Sequence, residues 1–324
     1  MEPGFCGTRL SAVARKLRIQ YPGAIYHVIN RGNYRRDLFL SPSEALAFLT
    51  ALREVVALMG WRAHAYALMR NHYHLALETP EPNLVEGMHW LQSTWATRFN
   101  RFRDERGHLF QGRYQALLVE DAAALARVVD YLHLNPVRAK IVPPELVRSY
   151  RWTSLPGILK GDGWTDGGGW RGGERFTDDA AGRRAYERHL IEIGRDEAEW
   201  DRRGVTGLSR GWAIGTTGWK RAVAKRLSGR ALTPDLTLEQ VLDLRQSLWE
   251  ATLTEALASI GRRPEDLNTR PMKQRWKLEL AVHVRQASGA SLAWLARRLQ
   301  LGSGSNLRCY LSRAKRGPEQ RTTA

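Results

Sequence analysis

Apolar and polar positions alternate along residues 25–33, IYHVINRGN, which predicts a strand closed by a Gly/Asn turn. The rhythm then lengthens. Over 41–60, SPSEALAFLTALREVVALMG, the residues Leu46, Leu49, Leu52, Val56 and Met59 recur at helical spacing. Ser41 before Pro42, with Glu44 three residues on, supplies a capping box, and Gly60 stops the helix. Residues 61–69 alternate again, Arg70 and Asn71 turn the chain, and HYHLALE returns as the second arm of a β-hairpin. A second helix is predicted over 83–102, with Leu84, Met88, Leu91, Trp95 and Phe99 on one stripe. Residues 108–120 read as extended. A third helix is predicted over 121–135, capped by Asp121 and ended before Pro136.

That order predicts an α+β fold, an antiparallel sheet with helices on one face. Residues 157–173 are glycine-rich and without periodicity, so 157–203 is expected to be a linker or excursion. Helical patterns follow over 237–261 and 271–289. Residues 291–316 read as helix, short Gly/Ser turn, helix, with Ser305 or Asn306 able to cap the second. The expected organisation is a basic extension over 1–20, the α+β domain over 21–156, the linker, and a mainly helical region over 204–318.

Charge changes the picture. Across 324 residues, 50 Lys and Arg stand against 33 Asp and Glu, giving +17. Such an excess favours a polyanionic partner, most often nucleic acid, over a small-molecule substrate. No apolar run approaches the roughly 20 residues of a membrane span. The N-terminus lacks the uninterrupted apolar core of a secretion signal, and Cys6 and Cys309 lie far apart, so a reducing cytoplasm is expected. Basic residues crowd the C-terminal pair of helices, where Arg297, Arg298, Arg308, Arg313, Lys315 and Arg316 are candidate DNA contacts of a helix-turn-helix. The plainer alternative is a helical hairpin with a solvated basic face. Residues 210–227 interleave tryptophans with cations; an amphipathic helix with core aromatics is favoured there over base stacking.

Two constellations could carry chemistry. Side chains alternate along a strand, so His72 and His74 share one face, either as a metal-binding pair or as a coincidence of sequence. The histidines at 27, 64, 89 and 108 have no comparable partner spacing and read as packing residues. On the third helix, Tyr131 and Asn135 lie one turn apart on one face, beside Arg127. A tyrosine so placed is ordinarily a core residue whose hydroxyl reaches water.

Together, the strand His-x-His and, about sixty residues later, the lone tyrosine of DYLHLNPVRAKIV resemble the single-tyrosine HUH transposases. The nearer likeness is to the REP-associated tyrosine transposases and their insertion-sequence relatives. It covers roughly residues 20–155, from YPGAIYHVINRGN into RWTSL. The resemblance implies a ferredoxin-like catalytic domain that cuts and rejoins single-stranded DNA, with a nearby hairpin, through a covalent 5′-phosphotyrosine. By it Tyr131 is the nucleophile, and His72, His74 and Asn135 hold a divalent cation, Mg²⁺ or Mn²⁺. Two departures stand out: Arg70 occupies the position where many relatives have proline, and Tyr73 is bulkier than the usual aliphatic residue.

Tyrosine, with a reference pKa of about 10, needs assistance to attack a phosphate near neutrality. A cation at the histidines would neutralise charge in the transition state, and a mixed N/O donor set suits Mn²⁺ better than Mg²⁺. One competing expectation is a DNA- or RNA-binding regulator that keeps the fold and not the chemistry. Another is a rolling-circle replication initiator; those often carry a second tyrosine three or four residues away, and none stands at 127, 128, 134 or 135. Both a monomer and a homodimer are compatible with the sequence.

Overall fold

The computed structural model describes residues 19–161, 163–166, 168–171, 175–227, 238–268 and 274–315. The chain runs β1 (Ala24–Arg31), α1 (Pro42–Met59), β2 (Arg62–Met69), β3 (His72–Thr79), α2 (Leu84–Arg103), β4 (Gln115–Val119) and α3 (Ala122–Arg138). After these come α4 (Leu155–Lys160), α5 (Gly168–Arg171), α6 (Ala180–Arg195), α7 (Glu197–Arg202), β5 (Ala213–Ile214) and α8 (Thr217–Leu227). The C-terminal helices are α9 (Leu238–Ser259), α10 (Arg275–Ser288), α11 (Leu292–Arg298) and α12 (Gly304–Lys315). No described helix is long and apolar enough to cross a membrane.

The five strands form one sheet in the order β2-β3-β1-β4-β5. Strand β1 pairs antiparallel with β3 and β4, β2 pairs antiparallel with β3, and the short β5 adds parallel to β4. The α+β class is as expected, but helices cover both faces of the sheet rather than one. Tyr26, Val28, Tyr73 and Leu75 face α1 and α2, whose Phe48, Leu52, Met88 and Trp95 complete that core. Ala65, Ala67, Ala76 and Leu117 turn the other way and meet Val128, Leu132 and Tyr131 of α3. Small residues on this second face let α3 lie close to the strands. Alternation alone cannot tell which face a later helix will cover, because both faces here are apolar.

Helix α1 starts as the sequence predicts: Ser41 accepts from Glu44 N, and the Glu44 carboxylate accepts from Ser41 N. It ends at Gly60, whose φ of 66° is the left-handed conformation glycine adopts cheaply. Its buried face centres on Phe48, Leu52 and Val55, so Leu46 of the predicted stripe is left exposed. All five predicted stripe residues of α2 are buried. The extended reading of 108–120 narrows to β4, preceded by a single bridge between Phe110 and Gly32.

Pro136 does not end α3, which continues to Arg138. The ladder resumes beyond it, with Ala139 N donating to Asn135 O at 2.9 Å. Part of the span read as linker is helical: α6 packs on α3 through Tyr186, Leu190 and Ile193. Helices α9 to α12 share a separate core of Trp249, Leu253, Leu280, Val284, Leu295 and Leu307. Trp212 is buried in the sheet core and stacks on Trp219, so these aromatics pack as favoured for 210–227, but the helix covers only Thr217–Leu227 and Trp212 precedes the strand β5.

Candidate active site

The register of β1 and β3 sets the histidine geometry. His74 stands opposite Ile29 and His72 opposite Arg31, on the sheet face that α3 covers. Tyr73 points to the other core, against Phe48, and its hydroxyl accepts from Gln92 Nε2 at 3.1 Å. Its bulk is therefore spent away from the site. The turn before it is pinned by Arg70, which makes two 2.8 Å bonds to the Asp37 carboxylate. Neither departure from the family pattern displaces the histidines.

Hydrogen bonds fix which imidazole nitrogen carries the proton. Asn71 Nδ2 donates to Arg35 O, so its amide oxygen is the atom 2.8 Å from His72 Nδ1. His72 Nδ1 must donate to it, leaving a lone pair on Nε2. A longer relay fixes His74. His27 Nδ1 lies 2.8 Å from Leu208 O and donates to that carbonyl, so the neutral ring has Nε2 as acceptor. His74 Nδ1, 2.9 Å from His27 Nε2, donates to it, and again Nε2 keeps the lone pair. Burial pushes His27 and His72 down to about 4, the latter helped by Arg31, and holds His74 well below the usual histidine range. All three rings are thus neutral near pH 7, the protonation state that ligates metals.

Helix α3 brings the tyrosine over these rings. Tyr131 sits edge-on to His74 at 5.6 Å between centroids and to His27 at 5.7 Å. Asn135 Nδ2 donates to Tyr131 O at 3.1 Å, which leaves its amide oxygen as the remaining polar atom. The guanidinium of Arg138 lies 4.8 Å from the Tyr131 ring centroid. Two buried groups hold the helix in this position: Asp130 binds both Arg175 and His189, and His133 bridges Tyr186 and Ser154 at 2.7 Å each.

His72, His74, Tyr131 and Asn135 all line one cavity of about 420 Å³, together with Arg31 and Arg113. No acidic side chain lines it. The sequence therefore named four residues that the fold brings together, although they come from a strand and a helix about sixty residues apart. It placed Arg127 beside Tyr131, but Arg127 opens into a neighbouring concavity, and Arg138 is the cation on the tyrosine ring. His27 was read as packing, and Asn71 and Leu208 were not singled out at all. Only the β1–β3 register, which sets His27 diagonally across from His74, could have revealed that relay.

The ligand set can be tested against a divalent cation. Among the described residues no group of three His, Cys, Asp or Glu side chains is disposed as a cage. The two Nε2 lone pairs, on rings 5.2 Å apart and nearly perpendicular, with the Asn135 amide oxygen, fit a partial ligand set open to phosphate oxygens and water. A cavity without carboxylates but with Arg31 and Arg113 suits a phosphate.

At the C-terminus, α11 and α12 form the predicted helical pair, but the cap of the second is Ser303, whose hydroxyl accepts from Asn306 N at 3.1 Å. The helix begins at Gly304, too early for Ser305 or Asn306 to cap it. Arg297 and Arg308 are exposed, whereas Arg298 is tied to Glu250 at 2.7 Å. Arg316 and the side chains of Arg313 and Lys315 lie outside the described residues.

Two solved structures resemble the chain weakly. One is a REP-associated tyrosine transposase bound to a REP hairpin, with 15% identity, TM-score 0.39, and coverage of 45% of this chain and 86% of that one. The other is a Deinococcus radiodurans R1 protein designated a candidate transposase, with 22% identity, TM-score 0.27, and coverage of 39% and 92%. No curated protein matches. The family model of IS200-like transposases matches residues 20–135, the span from the approach to β1 through Tyr131 to Asn135. Over this domain the chain is similar to the IS200-like transposases.

Proposed function

We propose that the protein is a metal-dependent endonuclease and strand transferase acting on single-stranded DNA through a covalent 5′-phosphotyrosine at Tyr131. The observation that carries this reading is the convergence of Tyr131 with two histidines whose Nε2 lone pairs are left free, in a cavity lined by cations. Tyr131 supplies the oxygen that attacks the scissile phosphorus. The new O–P bond forms as the bond to the 3′-oxygen breaks, and the phenolic proton is balanced by the hydroxyl released on the 3′ end. Rejoining is the reverse: a 3′-hydroxyl attacks the phosphotyrosine and frees the phenol, with no nucleotide hydrolysis. Arg138, over the ring, favours the negative charge that develops on the phenolic oxygen. Arg31 and Arg113 orient the phosphate. His72, His74 and Asn135 would hold Mg²⁺ or Mn²⁺, which supplies positive charge against the phosphate oxygens in the transition state.

The nucleophile is buried against the sheet and lines the cavity, which suits a flexible single strand beside a hairpin better than a duplex. The exposed cations Arg297 and Arg308 of the α11–α12 pair are proposed to contact flanking DNA. The test uses 5′- and 3′-labelled hairpin oligonucleotides from repeats flanking the gene, with Mn²⁺ or Mg²⁺, and scores an SDS-resistant adduct. The adduct is expected with the wild type and absent with Tyr131→Phe or with EDTA. DNA binding without an adduct under either metal would instead favour a non-catalytic binding protein.

A further inference from the structure

A second concavity, of about 470 Å³, lies beside the Tyr131 cavity and is lined by Arg127, Arg202, Arg203, Arg210 and Lys220, with no acidic side chain in its wall. Two of these cations are already engaged: Arg202 with Asp196 and Glu199, and Arg203 with Glu199. Arg127, Arg210 and Lys220 make no ion pair with the described residues. Three cations without an ion pair among the described residues converge on one concave wall and raise its local potential, while the neighbouring Asp196 and Glu199 are taken up by Arg202 and Arg203.

Two pieces of the fold join this wall to the active site. On α3, Arg127 lies one helical turn, about 6 Å, before Tyr131. The loop from Gly204 to Gly211 does the rest. Leu208 gives its carbonyl to His27, Ser209 lines the Tyr131 cavity, and Arg210 lines the basic concavity. Gly204, with φ of 62°, brings the backbone against the Arg127 side chain, where an added Cβ would stand 3.5 Å from it. Apart from Arg127, every cation of this wall lies beyond residues 20–135. The loop therefore adds a positively charged floor to the domain, next to the nucleophile.

We infer that this basic concavity is a strand-guiding subsite, which grips the sugar–phosphate backbone of the single-stranded DNA leading away from the phosphate held at Tyr131. The inference rests on the reading of the Tyr131 cavity as a DNA-cleaving site. A strand seated there meets Arg127 next to the scissile position, then Arg210 and Lys220. The contacts are to phosphates, so they carry no base preference.

The test measures binding by fluorescence anisotropy with the full chain carrying Tyr131→Phe, in EDTA, so that no chemistry intervenes. The probes are one hairpin bearing single-stranded tails of two, six or ten nucleotides on either side. Affinity is expected to rise with tail length on one side of the hairpin. The Arg127→Gln/Arg210→Gln/Lys220→Gln variant should lose that rise, and its slope of log affinity against log salt should fall by about 2, from about 0.7 per single-strand phosphate contact. The double variant Arg210→Gln/Lys220→Gln, which leaves α3 untouched, should lose about 1.4. Arg184→Gln/Arg188→Gln/Arg245→Gln removes equal charge from exposed positions elsewhere and should keep the tail-length effect. Overturning results are an unchanged tail-length effect in the triple variant, or an equal loss in the control. Failure of the cleavage reading shows separately, as no adduct from the wild type, because the binding assay contains neither metal nor nucleophile.

Discussion

Replacing His27 separates a positioning role from simple packing. The ring is fully buried between the Leu208 carbonyl at 2.8 Å and His74 Nδ1 at 2.9 Å. His27→Leu keeps an apolar side chain there and removes both bonds. The His74 N–H and the Leu208 carbonyl each lose a partner, at about 1–3 kcal/mol per buried group, partly offset by the added apolar burial. The net expectation is a loss of about 2 kcal/mol in urea unfolding. The larger consequence is at Nε2: without an acceptor at Nδ1, nothing holds the His74 proton away from the ligating nitrogen. Loss of such a supporting bond typically weakens metal affinity 10- to 100-fold, or about 1.4–2.7 kcal/mol. Calorimetric titration of the full chain with Mn²⁺ reads this directly. His27→Gln can accept from His74 and donate to Leu208, so it should recover most of the affinity. Mn²⁺ binding by His27→Leu within twofold of wild type would refute the relay, as would equal weakness of the Gln and Leu variants.

Three further outcomes follow from packing and charge. Gly87 faces the Trp61 ring so closely that a Cβ would overlap it; Gly87→Ala should therefore lose about 1–2 kcal/mol in urea melts, despite the helix propensity gained, and a stabilised variant would contradict the packing. Burial pushes His133 down to about 3, against about 6.5 unfolded. The unfolded chain thus takes up a proton below pH 6.5 that the folded chain refuses, so this stability is complete above 6.5 and is lost as pH falls toward 3, at up to about 1.4 kcal/mol per pH unit. Unfolding measured from pH 7 to 4 should fall more steeply for wild type than for His133→Gln, and equal slopes would sink the assignment. Finally, Arg298→Ala should lower the melting temperature, since it breaks the partly exposed pair with Glu250, worth at most about 1 kcal/mol. Arg297→Ala should leave stability alone and make duplex binding less salt-dependent by about 0.9 in log–log slope; the reverse assignment of effects would exclude the α11–α12 pair as a DNA contact.

The local rules were sufficient wherever the information lies within a few residues. Ser41, Glu44 and Gly60 announce both ends of α1, and the turn at Arg70 and Asn71 places His72 and His74 on one face. The spacing of Tyr131 and Asn135 likewise survives folding, because one helical turn links them. Pro136 misled because a residue-level rule for helix termination yields to a helix held on both sides by packing. What the sequence could not decide is which sheet face α3 covers, and so whether Tyr131 meets the histidines. Both faces of the sheet are apolar, and the choice depends on the small residues Ala65, Ala67 and Ala76 and on the clamp made by Tyr186, His189 and Arg175. The same holds for His27 and Leu208, 181 residues apart, whose bond exists only because strand register and the loop before β5 bring a carbonyl to a buried ring. Periodicity and caps are properties of a segment; the proton on His74 is a property of the packed whole.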